Sequence, residues 1–215
     1  EDLGIHYGLY SPVTGVLKEA DTVTGVKITG REGVVPFRSR TVVDATGDGD
    51  ALWHAGCEMT EGREYDGRHM PMTLLFCLAG VDEDKLFAYL GEADWKDILA
   101  SEKEKGEFNV TSGYGFFRTN IPGMVTVNNG GSADMEFDGA RTRDLTAMER
   151  LGNQLALDFV RFARERKIPG LEDCHLSRTG AYVAPRDARR LVGEYVLTED
   201  DVRLGTEFED TVARK

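Results

Sequence analysis

Ten consecutive residues, Thr41-Val42-Val43-Asp44-Ala45-Thr46-Gly47-Asp48-Gly49-Asp50, restrict the folds open to this chain more than any other stretch. Thr41, Val42 and Val43 are β-branched and favour extended backbone. The run stops abruptly at Ala45, Thr46 and Gly47, and an acidic turn broken by glycine follows. Asp50-Ala51-Leu52-Trp53-His54-Ala55-Gly56 then reads as a helix of about two turns closed by a C-terminal glycine. A strand that ends this way is a place where an α/β sheet presents a ligand, because small residues and glycine let the backbone approach it closely. The apolar run predicts a buried strand over 41–44.

The residues before this point read as β. Segments around Val13, from Val23 to Thr29 and from Val34 to Arg40 alternate in polarity and are divided by glycine and charged turns, which predicts a small antiparallel meander. Beyond it, the run from Met70 to Ala79 predicts a core strand. Asp82 is placed to cap a helix reaching residue 89 or 90, and a second helix is expected over 94–105. Residues 101–107, a run of charges, read as a solvated helix end. The glycine- and aromatic-rich stretch 113–131 predicts strands near Phe116 and Val125. The longest helix is expected over 146–167, opened by a Thr146/Glu149 capping box and carrying Met148, Leu151, Leu155, Phe159 and Phe162 on one face. A strand over 191–197 and a short acidic helix capped by Thr198 close the reading.

The net charge of −12 over 215 residues argues against a nucleic-acid partner, which needs a basic surface. No apolar run is long enough to span a membrane. Cys57, Cys77 and Cys174 are odd in number and widely spaced. They predict buried thiols in a reduced, cytoplasmic setting, with neither a disulfide framework nor a metal site. No Ser–His–Asp, HExxH or CxxC pattern is present, so hydrolase and zinc readings have no support. Calcium at Asp44, Asp48 and Asp50 also fails, because an EF-hand register from Asp44 puts Ala55 where the bidentate glutamate belongs. No metal is expected.

Three segments together resemble the FAD-dependent oxidoreductases of bacteria. The first is Val42 to Ala51 with Glu61-Gly62-Arg63 after it. The second is Met70-Pro71-Met72-Thr73-Leu74-Leu75-Phe76 with Gly80-Val81-Asp82. The third runs from Ala184-Pro185-Arg186-Asp187 through Arg189-Arg190-Leu191 to Asp201-Val202. The resemblance spans roughly residues 13–214. It implies an α+β chain, part of an α/β flavin-binding fold, with residues 1–59 from the FAD-binding domain, 60–185 a substrate or cap domain and 186–215 a segment returning toward the flavin domain. The family's phosphate-cradling GxGxxG loop is not in this sequence. The expectation is therefore a central piece of a longer enzyme, inactive and poor at holding FAD by itself, with an exposed docking face that promotes self-association.

The same resemblance implies FAD as cofactor and hydride transfer between flavin and a small-molecule substrate. It makes Ala45, Thr46, Gly47, Asp48, Gly49 and Asp50 the flavin-contacting turn. In the plainer reading, Asp48 or Asp50 simply caps the helix. Arg189 and Arg190, with Arg186 beside them, are candidates for a substrate carboxylate, since a guanidinium is a fixed bidentate fork; a structural ion-pair cluster is the alternative. His69 is the candidate acid or base, or else an ordinary loop residue. The rival function is a non-catalytic binding or structural domain. The two separate on whether the Arg186–Arg190 cluster and the Asp48–Asp50 turn converge on one concave surface or lie on opposite faces.

Overall fold

The computed structural model describes residues 3–111, 113–129 and 137–211. Along the chain come the strands β1 (Val13–Glu19), β2 (Thr22–Gly30) and β3 (Gly33–Arg38), the helix α1 (Asp50–Ala55), and the strands β4 (Met59–Glu61) and β5 (Phe76–Ala79). Helices α2 (Glu83–Glu92) and α3 (Trp95–Lys105), strands β6 (Tyr114–Arg118) and β7 (Met124–Asn129), and the long helix α4 (Thr142–Glu165) follow. The last elements are β8 (His175–Thr179), β9 (Arg189–Leu191) and α5 (Glu199–Leu204). Mixed helices and antiparallel sheets make this an α+β fold. Two units divide it, Glu1–Thr60 with Arg189–Lys215, and Glu61–Ala188.

The first unit is built on the β1-β2-β3 meander, antiparallel throughout. Helix α1 lies against β1, and the Lys18 ammonium donates to the Ala55 carbonyl at 2.8 Å. That cation sits at the helix C-terminus, where the free carbonyls concentrate negative potential. Strands β4 and β9 pair as a two-stranded ribbon. At α5, Thr198 and Asp201 form a reciprocal capping box.

The second unit carries the larger core. Its sheet has the order β6-β7-β5-β8, antiparallel at every pairing. Phe76, Leu78, Val125 and Val127 point into one cluster with Phe159 and Phe162 of α4. Phe159 stands at the centre, with ring centroids of Phe76, Tyr114, Phe116 and Phe162 within 4.5–6.0 Å. Burying a phenyl ring of this kind contributes about 2–3 kcal/mol. Two turns earlier in α4, Gly152 allows close packing on Leu74, because a Cβ there would lie 2.6 Å from Leu74 Cβ.

Several expectations are corrected. Residues 41–44 form no strand, since no strand among the described residues runs alongside to pair with their backbone, and Val43 is 85% exposed instead of buried. Of the run 70–79 only Phe76–Ala79 is a strand; Met72 and Leu74 are still fully buried, and Thr73 is held to Ala184 by a single bridge. Helix α4 starts a turn earlier than residue 146. Thr146 is therefore interior and bonds the Thr142 carbonyl, and Glu149 accepts from the Val183 N–H at 2.8 Å, so the capping box does not exist. Of the expected strand 191–197 only Leu191 is strand, as the last residue of Arg189–Leu191, which pairs with the three residues of β4. The charged run 101–107 is not wholly solvated, because Glu102 is buried against the Arg166 fork at 3.0 and 2.9 Å. Cys77 and Cys174 are buried thiols but Cys57 is only half-buried. Gly130 and Gly131 of the glycine-rich stretch, and residues 212–214 of the family-like span, lie outside the described residues.

Candidate functional site

The turn over 44–50 is organised by one carboxylate. Asp44 Oδ1 accepts from the Thr46 N–H at 2.9 Å and from its hydroxyl at 2.7 Å, and Oδ2 accepts from the Leu52 N–H at 2.9 Å. Thr46 Oγ1 in turn accepts from the Asp50 N–H at 2.8 Å. Two of the orphan donors that open α1 are thereby satisfied from residues well upstream. Burial alone would raise the Asp44 pKa. The N–H groups of Thr46 and Leu52, helped by the Thr46 hydroxyl and the Ala51 N–H, outweigh it and hold the carboxyl below its ordinary value.

Asp44 and Thr46 cap the helix from upstream, and Gly49 occupies the cap position in a left-handed conformation and offers no side chain. Asp50 pairs with Arg189, whose side chain is 11% exposed and whose guanidinium carbon lies 5.2 Å over the Trp53 ring. The pair neutralises Asp50 beside the turn. Arg189 Nε is a buried donor with no acceptor among the described residues.

Asp44, Ala45, Gly47 and Gly49 share a concave surface of about 440 Å³ with Leu52, Met59, Arg189 and Arg190. Gly47 has φ +91°, which side chains rarely adopt, and a Cβ there would meet nothing within 4 Å. The backbone thus faces open space at a position where only glycine is unstrained. Arg189 and Arg190 line this concavity with Gly47 and Gly49, whereas Arg186 lines a cavity of the second unit and Asp48 and Asp50 line neither, so the Arg186–Arg190 cluster and the Asp48–Asp50 turn do not converge as a whole.

His69 belongs to the second unit, where its imidazole sits between two carboxylates. Nε2 is 3.8 Å from Asp138 and Nδ1 is 3.8 Å from Asp187, and Nδ1 makes no hydrogen bond among the described residues. Asp187 also accepts from the Met70 N–H at 2.7 Å. Glu61, His69 and Asp138 place ligand atoms within 4.8 Å of one another. Sequence spacing gave no sign of this group, whose members are brought together only by the fold. Arg141 donates to Asp138 at 2.6 Å, so a cation already occupies one side of that carboxylate. Asp138 is held below its ordinary pKa, the N–H of Ala140 and the Arg141 guanidinium outweighing burial, which acts the other way.

The second unit also holds a cavity of about 410 Å³ that includes Thr73, Tyr114, Asn129 and Arg186. Asn129 carried no motif and sequence reasoning missed it. Its position at the end of an alternating strand was the available signal.

Against known proteins, the family model for FAD dependent oxidoreductases matches residues 1–215. The chain belongs to the FAD-dependent oxidoreductase family. No curated protein and no solved structure matches it. Among the described residues no helix is long and apolar enough to cross a membrane.

Proposed function

We propose that the turn 44–50 is a flavin-contacting element and that the chain serves a FAD-dependent oxidoreductase acting on a small, carboxylate-bearing substrate. One observation carries the reading. Ala45, Gly47 and Gly49 line a concavity together with Arg189, whose Nε is a buried donor without an acceptor among the described residues. A polar acceptor belongs opposite that nitrogen, since a buried donor left unpaired is costly. The acids beside the turn do not repel an anionic guest as their number suggests. Asp44 is saturated by donors and Asp50 is neutralised by Arg189. These residues therefore fit the cofactor that the family implies. When bound, FAD supplies the redox chemistry, exchanging a hydride with a substrate carbon.

The protein's own part is positioning. Ala45, Thr46, Gly47, Asp48, Gly49 and Asp50 form the contacting turn, with Gly47 giving backbone access. Arg189 fixes the turn through Asp50, and Arg190, exposed on the same concavity, is the better placed of the two to meet a substrate carboxylate. His69, set between Asp138 and Asp187, is the candidate to hold or move a proton. Residues 60–185 act as the substrate or cap domain that excludes water. Lacking a GxGxxG loop, the 215 residues alone hold FAD poorly and turn over no substrate. Three free cysteines support a reducing, cytoplasmic setting.

Replacing Gly47 by valine in the natural protein that carries this chain tests the proposal. Flavin content per protein should fall severalfold while the far-ultraviolet dichroism is retained. Unchanged flavin content sinks the assignment.

A further inference from the structure

The cavity of the second unit is lined by a polar side chain that has no partner among the described residues. Strand β7 alternates, with Val125, Val127 and Asn129 on its buried face. The third of these core positions therefore carries an amide where the others carry valine. Asn129 is 0% exposed, and among the described residues neither its Oδ1 nor its Nδ2 has a partner. Buried amides are ordinarily paired, and an orphan one lining a cavity points to a guest that supplies both a donor and an acceptor.

The neighbours of Asn129 define the guest. Tyr114 is its direct partner across β6 and β7, so both side chains share one face. Tyr114 already accepts the Thr111 N–H at 3.2 Å, which fixes its ring as a wall of the cavity. Gly113 leaves room beside that ring, since a Cβ there would meet nothing within 4 Å. Arg186 also lines the cavity and has no ion pair or hydrogen bond among the described residues. In the same unit Arg118, Arg141, Arg161 and Arg166 all hold carboxylates. In a chain with twelve more acids than bases, an arginine that lines a cavity and has no acidic partner among the described residues is an available anion receptor.

We propose that this cavity binds a small organic acid bearing a hydroxyl group. The carboxylate meets the Arg186 guanidinium, and the hydroxyl bonds the Asn129 amide. A hydroxyl satisfies the amide best, because it donates to Oδ1 or accepts from Nδ2 as it rotates. The cavity volume accommodates molecules from a three-carbon hydroxy acid to a sugar acid. The inference uses only the second unit and does not depend on the flavin assignment.

The test is thermal unfolding of the 215-residue chain, without flavin, in millimolar lactate, malate or glucuronate. Propionate and succinate serve as controls lacking the hydroxyl, and glucose as the control lacking the charge. At least one hydroxy acid should raise Tm in a saturable way, with its control binding about tenfold more weakly. Arg186→Met and Asn129→Leu should each weaken that binding by about tenfold or more. Arg186 is exposed, so its variant decides the matter even if Asn129→Leu does not fold. No shift with any of the three acids, the signature of a merely water-filled cavity, overturns the proposal. So does a shift that the controls reproduce, or one that Arg186→Met leaves intact.

Discussion

The Asp44 carboxylate draws donors from both ends of the turn, and the geometry of that turn therefore rests largely on one side chain. Replacing it with alanine leaves the Leu52 and Thr46 N–H groups without their acceptor. Asp44→Ala should cost about 1–2 kcal/mol, the range for losing a helix cap. A fall in Tm of about 2–4 °C per kcal/mol is expected for a chain of this length, and an unchanged Tm would show that water replaces the carboxylate without loss. The sequence drew attention to this stretch but not to the part Asp44 plays. Capping rules look immediately before a helix, whereas Asp44 reaches Leu52 from eight residues away. Asn129 was illegible for a different reason. An asparagine at a strand end reads as a turn residue, and only the pairing of β6 with β7 turns its side chain inward.

Among the elements, α4 separates two kinds of sequence signal. Its apolar stripe was readable because helical spacing alone puts Met148, Leu155, Phe159 and Phe162 on one face, and all are buried. Its start was not, because Thr146 and Glu149 have the spacing of a capping box while lying inside the helix. Thr146→Ala should accordingly change stability by less than about 0.5 kcal/mol, whereas a true cap would cost about 1 kcal/mol. Phe159→Ala, at the centre of the ring cluster, should cost about 3–5 kcal/mol; denaturant midpoints of the two variants check both figures. The strand expected at 41–44 failed because β propensity states what a segment can do, and pairing requires a neighbour.

The contact from α3 to the residue just beyond α4 adds a pH dependence. Arg166, first through its hydrogen bonds, with Lys105 assisting against burial, holds Glu102 below the usual carboxylate range. A depressed folded pKa gives stability that is present above the unfolded value, about 4.3 for glutamate, and is lost as pH falls through the folded value. Tm should therefore drop on acidification below about pH 5, and Arg166→Met should flatten that drop while lowering stability near neutrality by about 2 kcal/mol. An Arg166→Met profile parallel to the parent's would assign the acid sensitivity to other groups.

For the whole molecule, family membership over residues 1–215 sets the class of chemistry, and each of the two units contributes a concavity of its own. The family-like segments were legible because glycine turns and arginine runs are local. The two cavities were not, since each gathers residues far apart in the chain, Gly47 with Arg190 in one and Thr73 with Asn129 in the other. Fold alone does not set chemistry, so the central claim has to be tested on the cofactor. The most direct measurement is the visible absorption spectrum of the natural protein carrying this chain, as purified, beside that of the 215-residue chain after addition of FAD. The account predicts flavin absorbance in the natural protein and none retained by the 215-residue chain after removal of free FAD. A natural protein that is colourless and stays so when FAD is added would contradict it.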